Sequence, residues 1–339
     1  MKLLICGDPL GTHSMISLKK HAPEDICVWE NDSRHIYTIN QISDKIKVTS
    51  DFNSLDNMHF SETIGNPPYL KNLHLEFLLK ALEISDSVKI IHPAGWLFRS
   101  GRDIERKVKE ALKGRVKKLT LFNGNTTFKG AEFDCPLVIT EADKSYEGKI
   151  EVHYKSSGNT YYINSLEEMP FGFWEPTEPM LDLVKKYQEL TEHVCLNDLK
   201  TNKFNPSGNR VFVQPPRTCG HAKTKDPKTF CTVDFYTFFY RNSDIWTLKK
   251  NEPCYSLNSK EEAESLVSYL KTKFARFGLA INKISRDSYL SRYLSNVPIP
   301  PLDRQWTEES IMEHYNMTPE QVEFINNFIP NYYEKKQAQ

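Results

Sequence analysis

Short apolar runs that each end on a small or acidic residue, alternating with stretches of helical periodicity, fill the first 140 residues and constrain the fold most. The run 2–6 ends at Gly7, 26–29 at Glu30, 46–49 at Ser50-Asp51, and 62–64 at Gly65-Asn66. Residues 13–21, 33–42 and 104–113 read as helices, and 73–84 places Leu75, Leu78, Leu79 and Leu82 at helical spacing. Runs 88–92, 116–122 and 136–140 read as further strands. This alternation predicts a mostly parallel sheet with helices on both faces. Ligands of such sheets lie at the carboxyl ends of the strands, which is where Gly7, Glu30, Asp51 and Asn66 fall.

Composition changes after about residue 165. A linker and a helix follow around 174–187, then a stretch rich in Lys, Thr, Asn, Pro and aromatics over 196–256, then helices at 260–273, 307–315 and 319–328. Pro298-Ile299-Pro300-Pro301 is a stiff connector. Thr318-Pro319-Glu320-Gln321 reads as a helix start, with Thr318 as N-cap. The expected organisation is therefore an α/β domain over 1–165 and an α+β domain with a helical tail over 166–339.

The 339 residues contain no apolar run of the ~18 needed for a membrane span. Seven cysteines lack Cys-x-x-Cys spacing, which argues against a zinc site and for a reducing, cytoplasmic setting. Net charge is zero, yet Lys200 to Lys250 holds ten Lys or Arg against three Asp. Such a local excess attracts phosphates; a solvated lysine-rich loop would look the same.

The sharpest signal is Gly65-Asn66-Pro67-Pro68-Tyr69. An amino group on an aromatic ring is a poor nucleophile, because its lone pair is delocalised into the ring. Two acceptors on the amine hydrogens draw the nitrogen toward tetrahedral geometry. Asn66 offers a side-chain carbonyl; Pro67 offers a backbone carbonyl in a loop stiffened by two prolines. Tyr69 offers a flat face on which a base can stack. A base inside a duplex must leave the stack to reach such a loop.

In this order of features the chain resembles the N6-adenine DNA methyltransferases that carry Asn-Pro-Pro-Tyr and belong to restriction–modification systems and phages. The resemblance implies a Rossmann-like methyltransferase fold with a C-terminal α+β target-recognition domain. It also implies methyl transfer from S-adenosyl-L-methionine to adenine N6 in double-stranded DNA after base flipping. By resemblance, Gly7 lies in the first cofactor loop, Glu30 holds the ribose hydroxyls, Asp51 lies near the cofactor adenine, and Asn66, Pro67, Pro68 and Tyr69 form the catalytic loop, with Asn66 also beside the cofactor. Ile90-Ile91-His92-Pro93-Ala94-Gly95-Trp96 is similar to the strand and loop that follow, with His92 as a structural residue. Phe128-Lys129-Gly130-Ala131 is similar to the segment whose aromatic, here Phe128, packs the flipped base. Lys271–Phe277 in the numbering 271–277, together with Val297-Pro298, 306–309, 315–318 and 324–325, is similar to the recognition region and tail. Phosphate contacts are expected from Lys200, Lys203, Arg210, Arg217, Lys223, Lys225 and Lys228. No metal is implied.

The first loop departs from the family pattern. Cys6-Gly7-Asp8-Pro9-Leu10-Gly11-Thr12-His13 has two glycines where three are usual, and the chain begins at the first strand where the family tends to have a preceding helix. The expectation is that another segment or a protein partner completes the cofactor site. Two other readings fit the same residues. Enzymes that methylate RNA guanines or protein glutamines also use Asn-Pro-Pro-Tyr, and a chain that has lost the cofactor could serve as a non-catalytic DNA- or protein-binding subunit.

Overall fold

The computed structural model describes residues 2–8, 11–98, 101–128, 133, 135–170, 172, 174–201, 211–213, 254–282 and 291–329. Its chain divides into two compact units, one of 1–124 with 136–169, the other of 125–135 with 170–339.

The first unit is built on β1 (Leu3–Cys6), a strand buried along its whole length. Leu3 and Ile5 face one side, in a cluster with Ile26, Val28, Ile39 and Ile46. Leu4 and Cys6 face the other, with Trp29, Phe60, Phe77 and Ile84. A strand covered by helices on both faces has no polar side to show, hence the unbroken apolar run. Each such side chain contributes roughly 1.5–3 kcal/mol by leaving water.

In chain order, β1 is followed by α1 (Thr12–Ser17), β2 (Ile26–Trp29), α2 (Ser33–Ile42), β3 (Lys47–Thr49), β4 (Phe60–Gly65) and α3 (Leu73–Ile84). Next come β5 (Ser85–Pro93), α4 (Asp103–Leu112), β6 (Val116–Phe122), a four-residue helix α5 (Gly124–Thr127), β7 (Leu137–Asp143), β8 (Ile150–Tyr154) and β9 (Thr160–Ile163). The nine strands form one sheet in the order β3-β2-β1-β4-β5-β7-β6-β8-β9. The first five in that order run parallel, and β7 is antiparallel to both of its neighbours. The order reverses between β1 and β4, so the sheet has a topological switch point with a crevice at the carboxyl ends of those two strands. This is the Rossmann-like methyltransferase fold, with a mostly parallel sheet.

The second unit is α+β. Its elements are α6 (Glu178–Leu190), a small antiparallel sheet of β10 (Lys200–Thr201), β11 (Val211–Val213) and β12 (Cys254–Leu257), and helices α7 (Lys260–Lys271), α8 (Lys273–Ile281), α9 (Ser291–Leu294), α10 (Glu308–His314) and α11 (Pro319–Phe328). Its core surrounds α8. Phe274 stacks between Tyr187 and Tyr315, each with ring centroids 4.8 Å away, and Phe277 meets Phe324 and Phe328. The helix expected over 260–273 is two helices. Thr272 breaks the run, and its side chain caps α8 by accepting from the Ala275 N–H. Among the described residues, no helix is long and apolar enough to cross a membrane.

Candidate active site

Gly7 ends β1 with φ 76, and its N–H donates to the Trp29 carbonyl at the end of β2. A Cβ at Gly7 would stand 2.8 Å from the Asn66 carbonyl oxygen. A Cβ at Gly65 would collide with the Cys6 carbonyl. The Asn66 N–H donates to that same Cys6 carbonyl at 2.9 Å. Two glycines thus let the β1 and β4 ends close on each other, which brings the Asn66 loop to the switch point. All peptide bonds of the described loop are trans.

Glu30, at the end of β2, is 5% exposed. One carboxylate oxygen accepts from the Asn31 and Asp32 N–H groups at 2.9 and 3.1 Å. The other accepts from the Asp8 N–H at 3.3 Å and lies 3.3 Å from His35 Nδ1. A carboxylate has about four acceptor positions, so the protein itself engages most of them, and Glu30 ties the β1 loop to the β2 loop. Asp8, 1% exposed, has a second task. Its carboxylate accepts from the His13 and Ser14 N–H groups at the start of α1, neutralising donors that the helix leaves unpaired. Asp51 is exposed after β3 and accepts from the Asn53 N–H at 2.9 Å. The strand order therefore sets Glu30, Gly7 and Asn66 at the ends of three adjacent strands, with Asp51 beyond the end of the next.

Tyr69 is half-buried, and its hydroxyl donates to Asn66 Oδ1. Leu70 beside it is 74% exposed, and Lys71 takes φ 51, a conformation rare for residues other than glycine. The α3 helix then begins. At its N-cap, Asn72 accepts a hydrogen bond from Arg102 at 3.0 Å. Behind Tyr69 lies a file of rings. Tyr69 meets His74 edge-on at 6.0 Å, His74 stacks on His92 at 6.2 Å, and His92 stacks on Trp96 at 5.7 Å. Trp96 Nε1 donates to His92 Nδ1 at 3.1 Å, so Nε2 carries the His92 hydrogen and donates to Thr140 Oγ1 at 2.9 Å. Burial, with His74 as a lesser influence, pushes the His92 pKa down to about 3. Burial and the nearby Arg102 charge push His74 down to about 4. Both rings are neutral at pH 7.

Seven of the expected residues lie on this edge: Gly7, Glu30, Asn66, Pro67, Pro68 and Tyr69, with Asp51 at the surface. Phe128, half-buried, belongs to the second unit, where it meets Phe133 at 5.9 Å. Lys200 lies in β10, opposite Tyr255. Lys203, Arg210, Arg217, Lys223, Lys225 and Lys228 lie outside the described residues. Sequence reasoning passed over Asp8, His35 and His74. An aspartate shortly before a helix is a capping signal and was open to notice; the two histidines carry no local signal. Among the described residues, no group of three His, Cys, Asp or Glu could hold a metal.

No family model matches the chain, and no curated protein matches it. Solved structures do resemble it in part. A Thermoplasma acidophilum protein is 20% identical, with 43% of this chain and 80% of that one covered, at a TM-score of 0.32. A candidate RNA methyltransferase from Pyrococcus horikoshii is 23% identical over 42% of this chain and 73% of that one, at 0.31. The methyltransferase subunit of a type I restriction–modification system from Streptococcus thermophilus is 15% identical over 50% of this chain and 46% of that one, at 0.38. None of these likenesses reaches a TM-score of 0.5, and the fold assignment rests on the strand order of the chain itself.

Proposed function

We propose that the chain is an S-adenosyl-L-methionine-dependent methyltransferase that acts on the exocyclic N6 amine of adenine in double-stranded DNA. The observation that carries this reading is the Asn66 loop at the switch point, held against the end of β1 by Gly7 and Gly65.

The residues of the crevice fit a nucleoside-bearing cofactor in kind. Gly7 keeps the β1 loop free of a side chain, Glu30 offers a carboxylate to the ribose hydroxyls on the oxygen that lies 3.3 Å from His35 Nδ1, and Asp51 offers one to the adenine. When bound, the cofactor supplies an electrophilic methyl group on a sulfonium, whose sulfur keeps the bonding pair as the methyl departs. The chain's own part is to hold the acceptor amine. Asn66 Oδ1 and the Pro67 carbonyl each accept one N–H, which turns the nitrogen lone pair out of conjugation. The same two dipoles favour the positive charge that develops on nitrogen, and the surplus proton then leaves to solvent. Tyr69 stacks on the flipped base. The second unit reads the target, and Lys200, Lys203, Arg210, Arg217, Lys223, Lys225 and Lys228 contact phosphates. A protein partner that completes the cofactor crevice belongs to the same proposal.

The test is transfer of label from S-adenosylmethionine to unmethylated DNA, followed by digestion to nucleosides. Label in N6-methyladenine that vanishes with Asn66→Ala supports the reading. Label in RNA or in protein, with none in DNA, replaces adenine by another amine. One observation favours a second reading, a non-catalytic binding subunit: the protein's own N–H groups and His35 surround the Glu30 carboxylate. Calorimetry that detects no cofactor binding with DNA present would select it.

A further inference from the structure

His74 is 8% exposed, and its Nδ1 is buried without a hydrogen-bond partner. A buried polar atom left unpaired costs stability, and native chains keep few of them. The rings around His74 narrow its use. On one side is His92, whose two nitrogens are both engaged, with Trp96 and with Thr140. On the other side is Tyr69, edge-on at 6.0 Å between ring centroids. Burial and the Arg102 charge keep His74 neutral, so one ring nitrogen has a lone pair to offer.

Tyr69 has a matching conflict. Its hydroxyl donates to Asn66 Oδ1, the atom that must accept a hydrogen from the substrate amine. With that bond made, the phenol presents its polar tip, not its face, where the amine has to arrive. Lys71, two residues on, holds φ 51, and strained backbone of this kind clusters at parts that switch.

We propose that His74 is a positioning residue that takes over the Tyr69 hydroxyl when the substrate binds. The phenol O–H leaves Asn66 Oδ1 and donates to His74 Nδ1, with the His74 hydrogen on Nε2, and the Tyr69 ring turns its face to the incoming base. One hydrogen bond is exchanged for another, and no proton changes owner. The proposal rests on the methyltransferase reading, because it is the amine that displaces the hydroxyl.

Two measurements test it. The first is a double-mutant cycle on kcat. His74→Phe keeps a buried ring and removes both nitrogens, and Tyr69→Phe keeps the stacking face and removes the hydroxyl. His74→Phe alone is expected to lower kcat about tenfold, the scale of one hydrogen bond, with the cofactor KM unchanged. In the Tyr69→Phe background the same substitution is expected to change kcat by less than about twofold, because coupled residues are not additive. A full loss in both backgrounds, or no loss in the first, overturns the proposal. The second measurement needs no turnover. In wild-type protein with 15N-labelled histidine, the His74 Nδ1 resonance is expected to move when an adenine-containing duplex binds together with S-adenosylhomocysteine. A resonance that stays in place while the duplex binds overturns the hand-over and leaves the methyltransferase reading intact. A duplex that does not bind at all sinks that reading, and the hand-over with it.

Discussion

A methyl group at position 65 has nowhere to go, because the Cys6 carbonyl and side chain already fill that space. Both are backbone-tethered and buried, so Gly65→Ala is expected to destabilise the first unit by about 1–3 kcal/mol, the usual range for overpacking. Urea unfolding followed by tryptophan fluorescence measures it; an unchanged midpoint would show that the two strand ends are not closed on each other. Glu30 presents a different test. Glu30→Gln keeps the shape and removes the charge that the Asn31, Asp32 and Asp8 N–H groups face. Charge-assisted hydrogen bonds contribute about 1.5–3 kcal/mol. If the carboxylate also holds ribose hydroxyls, the variant binds S-adenosylmethionine at least about tenfold more weakly by calorimetry. Equal affinity in the two proteins removes Glu30 from the cofactor site. At this scale the sequence was readable where a residue type has one strong use. The loop from Gly65 to Tyr69 was legible in its place after a strand, since β4 ends at Gly65. His74 did not stand out, since its meaning comes from His92, Trp96 and Tyr69 packed around it, and no local pattern encodes those contacts.

Elements were legible in proportion to how much of their signal is local. The helices 33–42, 73–84 and 319–328 were expected at the bounds the structure has, because their helical spacing is local, and Asp32 and Thr318 stand as capping residues directly before the first and last. Thr318 does cap the last of them, accepting from the Gln321 N–H at 3.3 Å. The strand expected over 88–92 runs Ser85–Pro93, since Ser85, Asp86 and Ser87 lack apolar character and are recruited by pairing with β4 and β7. The run 260–273 reads as one helix because its periodicity continues through Thr272; only that residue's extended backbone, φ −66 and ψ 151, separates α7 from α8. Its cap is 4% exposed, so Thr272→Ala should cost about 1 kcal/mol, as is typical of a lost N-cap. Thermal unfolding of the variant checks this, and Thr272→Ser, which keeps the hydroxyl, should restore most of the loss. A variant as stable as the parent would mean that the α7–α8 corner is held by packing alone.

For the molecule as a whole, the two buried histidines of the first unit set a pH dependence. In the folded chain His74 is held at about 4 and His92 at about 3, against roughly 6.5 when unfolded. The unfolded chain therefore binds more protons below neutrality. Stability from this source is complete above about pH 6.5 and is lost as pH falls toward the folded values, by up to ~1.4 kcal/mol per pH unit for each ring. Urea midpoints at pH 7.5 and pH 5.0 should differ in that direction, and His74→Phe should shrink the difference; a midpoint independent of pH would place both rings in contact with water. The layout of the first unit was open to sequence reasoning, because strands alternating with helices permit few topologies. The assignment of 125–135 to the second unit was not, because it depends on which distant residues the segment packs against.

The central claim is that the Asn66 loop holds an amine for methylation, and label transfer tests it most directly. Purified protein, labelled S-adenosylmethionine and unmethylated duplex DNA should give N6-methyladenine, and Asn66→Ala should reduce the rate by at least about 100-fold, the scale of one lost polar group at a developing charge. Label that persists in DNA at the parental rate with Asn66→Ala, in a folded protein, would contradict the account.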